Sequence, residues 1–209
     1  MPWAPMTCWT SFRDSYRSGC DGMPWKKLLV LLSCMLLLTG CAGKQDPAQC
    51  ALDLRTTLME SGGCTFDADV IAHYEDRSYS FSMTCRHADG ETKLTVTAPE
   101  NIAGIEASVK AGETQLEFDG AILEFGKLAN GYVSPVAAPW LLIQCWESAY
   151  IAYTGADGEQ ERVTYLRGYN EEELSVDTWL RNGVPTYAEV THNGVRCLAV
   201  TIKNFQLLP

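Results

Sequence analysis

Cys41 is the residue whose setting most directly names a chemistry. It closes the stretch Leu38-Thr39-Gly40-Cys41, which follows Lys26-Lys27 and an apolar run over residues 28–38. Cations, then about a dozen apolar residues, then a small-residue cleavage site are the three regions of an export leader. The run is too short for a permanent spanning helix, which needs roughly 17–25 residues. Its ending has the pattern of a lipobox, so the Cys41 thiol is expected to carry diacylglycerol through a thioether, with the chain cut just before it. Two acyl chains suffice for stable anchoring where one is marginal. The protein is therefore expected on the extracytoplasmic face of the cell membrane, held there by lipid, with no cofactor besides that covalent group.

Other reactive side chains are sparse. The three histidines are His73, His87 and His192; the first two fall near strand ends of a predicted hairpin and the third in a turn. No His-x-x-x-His, Gly-x-Ser-x-Gly, phosphate-loop or calcium-loop spacing occurs. Asp67 and Asp69 share a strand face, and Glu171-Glu172-Glu173 form a run. Acid–base work would require paired carboxylates with pKa values pushed apart. They read more simply as the wet face of an edge strand and as a solvated loop. Beyond Cys41 lie Cys50, Cys64, Cys85, Cys145 and Cys197. An odd number in an exported chain leaves at least one thiol outside an intramolecular pair. With no Cys-x-x-Cys spacing, zinc-ribbon and thioredoxin chemistry are not indicated. The five are either buried thiols or include one or more disulfides, whose pairing the sequence does not name. No catalytic residue and no metal ligand is assigned, and the chain reads as a protein that is not an enzyme.

The leader also orders the rest of the chain. Met23-Pro24-Trp25-Lys26-Lys27 makes a natural leader start. Residues 1–22 then read as a mis-called N-terminal extension, 23–40 as signal peptide, 41–47 as lipidated tether and 48–209 as one domain. The 169 residues beyond Gly40 carry 12 Lys and Arg against 24 Asp and Glu. A chain of this length buries roughly 70% of its unfolded surface. So acidic a surface excludes nucleic acid as a partner, because phosphate binding needs a basic face. An anionic bilayer repels it too, which leaves the lipid on Cys41 to hold it.

The elements follow from hydrophobic period. Pro47 opens a predicted helix over 48–61, apolar at Ala51, Leu52, Leu54, Leu58 and Met59 and stopped by Gly62-Gly63. From Cys64 the period becomes two: Phe66, Ala68, Val70, Ala72 and Tyr74, then Tyr79, Phe81, Met83 and Cys85. Leu94, Val96 and Ala98 continue the pattern, then Ile105, Ala107 and Val109, then strands over 116–118 and 122–125, with Gly- or Asp-bearing turns between them. Residues 136–146 are apolar almost all round, with Pro139 near the start, and predict an inserted helix covered on most sides. Strands resume at 150–153 and 162–166 around a turn at 155–158, and continue at 174–180, 186–190 and 197–202. Asn182-Gly183 and Asn193-Gly194 are hairpin turns. The aromatic residues of this half either fill a core or line a cavity for an apolar ligand under the inserted helix. Trp140, Leu142 and Trp146 are the candidates to touch such a ligand.

An N-terminal helix, a run of antiparallel strands, an inserted apolar helix and a closing meander resemble the outer-membrane lipoprotein carrier (Lol) superfamily. The lipid-anchored form is most similar to spore germination lipoproteins of that fold. The stretches that carry the resemblance are Val96-Thr97-Ala98-Pro99-Glu100 with Ile102-Ala103-Gly104-Ile105, and Pro185-Thr186-Tyr187-Ala188-Glu189-Val190 leading to Val200-Thr201-Ile202-Lys203-Asn204-Phe205. The resemblance implies an α+β fold: a curved antiparallel sheet, an unclosed half-barrel, with the N-terminal and inserted helices on its concave side. It also implies two functions. One is a non-catalytic binding module, whose partner is a cell-wall amidase in spore germination or another protein. The alternative is a lipid or lipoprotein carrier that holds acyl chains in the concave cavity. Whether the protein's own side chains fill the inside of the sheet separates the two.

Overall fold

The computed structural model describes residues 46–74, 77–110, 113–117 and 133–209. Residues 1–40, Cys41 and most of the tether, and the strand predicted over 122–125, lie outside the described residues.

Helix α1 (Pro47–Glu60) starts where the sequence supplies both a cap and a rigid first turn. The Asp46 carboxylate accepts from the Ala48 amide at 3.0 Å, and Pro47 sits where no helical N–H is needed. The helix buries Cys50, Ala51, Leu54 and Leu58, while Leu52 and Met59, predicted for the apolar face, are exposed. Cys50 takes their place on the inner stripe.

The strands are β1 (Gly63–Tyr74), β2 (Arg77–Ala88), β3 (Glu91–Ala98), β4 (Glu106–Lys110), β5 (Glu113–Glu117), β6 (Tyr150–Asp157), β7 (Gln160–Arg167), β8 (Leu174–Arg181), β9 (Val184–His192) and β10 (Val195–Leu207). They form one antiparallel sheet in the order β5-β4-β3-β2-β1-β10-β9-β8-β7-β6. Two meanders are thus joined through their first and last strands, and among the described residues β5 and β6 are the two edges of an open sheet. Alternation sets the buried face: Phe66, Ala68, Val70 and Ala72 of β1 pack inward with Phe81, Met83 and Cys85 of β2. The turns are those that Asp89-Gly90, Asn182-Gly183 and Asn193-Gly194 demand, each pair with positive φ at both residues. Gly63 is fixed by its neighbour, since a Cβ there would lie 1.9 Å from the His87 carbonyl oxygen.

Two expectations change. Asp67 and Asp69 do not lie on an edge strand: β10, the last strand, returns to pair with β1 on the side away from β2. Both carboxylates stay on the outer face and are matched by β10, with Asn204 donating to Asp67 at 2.6 Å and Lys203 paired with Asp69. The turn predicted at 155–158 is mostly strand, because Gly155, Ala156 and Asp157 continue the ladder against Arg162, Glu161 and Gln160. The Tyr153 ring lies over Gly155 and covers its bare backbone.

Helix α2 (Ala138–Ser148), entered through a short 3₁₀ turn at Pro135–Ala137, is the inserted apolar helix. It packs against α1 and β7 with Leu141, Leu142, Ile143, Cys145 and Trp146 buried. The observed architecture is the α+β fold the sequence implied, a curved open antiparallel sheet with an N-terminal and an inserted helix.

Candidate functional site

The inner face of the sheet is filled by the protein itself. Leu142 and Trp146 have no exposed surface. The Trp146 indole stands 6.0 Å from the Phe66 ring and 6.1 Å from the Phe205 ring, and its N–H donates to the buried Thr178 hydroxyl of β8 at 3.0 Å. A bulge brings Phe205 there. Thr65 and Asp67 oppose Gln206 and Lys203, so β10 carries one extra residue, with Asn204 at φ 53°. The extra residue shifts the alternation by one, and Phe205 turns inward after Ile202 rather than outward. Leu142 and Trp146, predicted to touch a ligand, thus sit in the side-chain core. Trp140 sits apart from them, half-buried at the edge of a depression of about 360 Å³ with Arg167 and Leu141.

One polar cluster under α2 was not read from the sequence. His87 on β2 is buried, with Nδ1 2.7 Å from the Thr92 hydroxyl on β3 and Nε2 3.4 Å from Glu147 on α2. Cys64 is the cross-strand neighbour of His87. A hydroxyl, an imidazole, a carboxylate and a thiol are the parts of a nucleophilic site, but Thr92 and Cys64 have no exposed surface. Burial, helped by the Glu147 charge, pushes the Cys64 thiol up to about 12, whereas a reactive cysteine is one whose pKa is lowered. The cluster ties α2 to the sheet. The signal available beforehand was the burial period of β2, which places His87 on the same face as Phe81, Met83 and Cys85.

The five described cysteines are free and buried. This resolves the two sequence alternatives in favour of thiols acting as small hydrophobes. Desolvation raises Cys85 well above its ordinary value, and holds Cys145 at about 12 and Cys197 at about 11. Among the described residues no group of three or more His, Cys, Asp or Glu could hold a metal ion, and no helix is long and apolar enough to cross a membrane.

An open concavity lies at the C-terminal end of α2. It is a cleft of about 910 Å³ lined by Arg55 of α1, Gln144 and Ser148 of α2, Tyr150 and Ile151 of β6, and Arg167 to Tyr169 after β7. Arg55 donates to two carbonyls that the helix end leaves without amide partners, from Nε to Trp146 at 2.9 Å and from Nη2 to Ala149 at 2.6 Å. Its charge also suits the negative end of the α2 dipole. The Arg167 guanidinium lies 4.7 Å over the Trp140 ring. Tyr150 and Tyr169 stand at the rim, 71% and 85% exposed. Behind the cleft the Tyr165 hydroxyl is buried with no hydrogen-bond partner among the described residues, and desolvation raises its pKa.

No family model matches the sequence, and no curated protein sequence matches it either. Solved structures do. A LolA superfamily protein from Nitrosomonas europaea aligns with a TM-score of 0.42 at 7% identity, covering 79% of this chain and 95% of that one. A Vibrio parahaemolyticus structure described as an outer membrane lipoprotein-sorting protein domain aligns with a TM-score of 0.35 at 7% identity, covering 76% and 91%. The complex of the CwlD amidase from Clostridioides difficile with the GerS lipoprotein contains a chain that aligns with a TM-score of 0.37 at 11% identity, covering 79% and 98%. The first two are described in the terms of the superfamily that the sequence patterns resemble, and the third contains a lipoprotein.

Proposed function

We propose that this chain is a lipid-anchored, extracytoplasmic, non-catalytic binding module that engages a protein partner. The observation that carries the reading is the filled inner face. Leu142, Trp146, Phe66 and Phe205 occupy the space beneath the helices that an acyl-chain carrier would keep open, and Leu142 and Trp146 are wholly buried. The anchor is the diacylglycerol expected on Cys41, and a cell-wall amidase is the first partner to test, because the sequence resemblance points to that class. Tyr- and Arg-rich surfaces of the kind that rims the α2 cleft are typical of protein interfaces.

The carrier alternative keeps one observation in its favour. Tyr74, Tyr79, Phe81, Pro99, Ile102 and Pro135 outline an apolar groove of about 560 Å³ at the far end of β1 and β2. A single experiment separates the readings: the lipidated protein is isolated from membranes, and both its co-purifying proteins and its bound lipids are identified. A stoichiometric protein with no bound lipid beyond the Cys41 anchor supports the module, whereas bound acyl chains without a protein overturn it. In the same material, a Cys41→Ala chain is expected to escape lipidation and leader-peptidase processing.

A further inference from the structure

We propose that the cleft at the C-terminal end of α2 binds a peptide carboxylate between Arg167 and Arg55. The inference deepens the binding-module reading and rests on it. Both cations face one cleft in a domain whose charge is otherwise strongly negative. Neither has a carboxylate partner among the described residues, although Arg162, Arg196 and Lys203 each have one.

Both are also held in place before any ligand arrives. Arg55 is fixed by the α2 carbonyls through Nε and Nη2, which leaves Nη1 free of those bonds. The Arg167 guanidinium lies over the Trp140 ring and donates no hydrogen bond among the described residues. A guanidinium held over an aromatic ring still has its N–H fork to offer, and a carboxylate accepts two of those donors at once. The two charges stand close enough that both act on the buried Cys145 thiol, lowering its pKa against the larger effect of desolvation. Glu173 also lines the cleft and is the local competitor for the cations. The exposed rings of Tyr150 and Tyr169 flank the entrance and offer faces on which the rest of a peptide packs.

Two sources share this chemistry, the C-terminal carboxylate of a peptide and an acidic side chain within an extended segment. The test uses the full lipidated chain in detergent micelles and three probes: N-acetyl-trialanine with a free carboxylate, its C-terminal amide, and amidated N-acetyl-Ala-Glu-Ala. Binding is read by NMR from the arginine Nε–H signals and the Trp140 indole. Saturable binding of one or both acids and none of the neutral amide is expected, and the acid that binds names the source. Arg167→Gln should weaken it about tenfold or more, as for a lost hydrogen bond to a charged group. Glu173→Gln should strengthen it roughly twofold to fivefold by removing an exposed competing charge, a gain that a merely structural role for these residues does not produce. Equal binding of acid and amide, no binding of any probe, or two variants indistinguishable from the parent overturns the site. A protein partner captured equally well by the parent and the Arg167→Gln chain also overturns it while leaving the module reading intact. A chain that carries lipid and no partner, yet takes the peptide acid, does the reverse.

Discussion

Trp140 and Trp146 lie on one short helix, six residues apart, and do opposite work. At 100° per residue they are about 120° apart around the axis. Trp146 is wholly buried against the sheet beside Phe66 and Phe205, with its one polar atom satisfied by Thr178. Trp140 is half-buried and carries the Arg167 guanidinium beside the open cleft. Leu142 follows Trp146 into the core, whereas Gln144 and Ser148 follow Trp140 along the i, i+4, i+8 row to the cleft. One helix thus serves as anchor on one side and as the wall of a binding site on the other. The anchored side fixes where the cleft stands.

The sharpest way to break this division is a charge on the anchored side. Leu142→Asp places an unpaired carboxylate at a site with no exposed surface, and is expected to cost about 3–5 kcal/mol. Against a typical total of about 5–15 kcal/mol, that leaves little folded protein. The check is urea unfolding followed by circular dichroism. A folded Leu142→Asp chain that has lost only bound lipid would mean that the inner face is a ligand site after all.

Alkali should attack the same side next. The Cys64 and Cys145 thiols start from an ordinary value of 9.0 and are each raised to about 12 in the fold. A raised pKa means the folded state holds its proton more tightly. The contribution is therefore complete below about pH 9 and is lost as pH climbs towards the folded value. At pH 10 the loss is about 1.4 kcal/mol for each thiol. Replacing both with alanine should flatten the stability profile between pH 9 and 11, and iodoacetamide at pH 8 should label neither thiol until the chain is unfolded. Fast native labelling of Cys145 would place it on the cleft side of the division.

How much of this was legible beforehand depended on whether a residue's neighbours were close in sequence. The alternation of β1 and β2, the Asn-Gly turns and the apolar helix are local patterns, and each stands where the sequence put it. The pairing of β1 with β10 joins the two ends of the domain, which is why Asp67 and Asp69 read as edge residues when they lie mid-sheet. The inward turn of Phe205 rests on a bulge at Asn204, which simple alternation assigns to the wrong face. The cleft draws on α1, α2, β6 and the chain after β7, so no local sequence pattern marks Arg55 and Arg167. The all-round apolarity of α2 showed that it was covered but did not distinguish Trp140 from Trp146.

The Trp146 hydrogen bond gives a finer measure of the anchored side. Trp146→Phe keeps most of the ring contact but leaves the buried Thr178 hydroxyl without its indole donor. The expected cost is about 1–3 kcal/mol. Adding Thr178→Val removes both partners and should recover part of that loss, a coupling that a double-mutant cycle in urea reads directly. Strict additivity would show that the indole is held by packing alone.

The smallest effect is expected on the cleft side. Tyr169 is 85% exposed, follows Gly168 at φ 88°, and stands at the cleft mouth, so Tyr169→Ala removes almost no buried area. Surface substitutions of this kind stay within about 0.5 kcal/mol. The midpoint in urea should therefore match the parent, and the slope with it, since the area exposed on unfolding is nearly unchanged. Peptide-acid binding to the same variant should weaken, because the ring flanks the carboxylate entrance. A change in binding without a change in stability is the signature of a recognition rim, and Leu142 and Trp146 should never show it. If Tyr169→Ala instead lowers stability by more than about 1 kcal/mol, the rim is an extension of the core and the two sides of α2 are not separable.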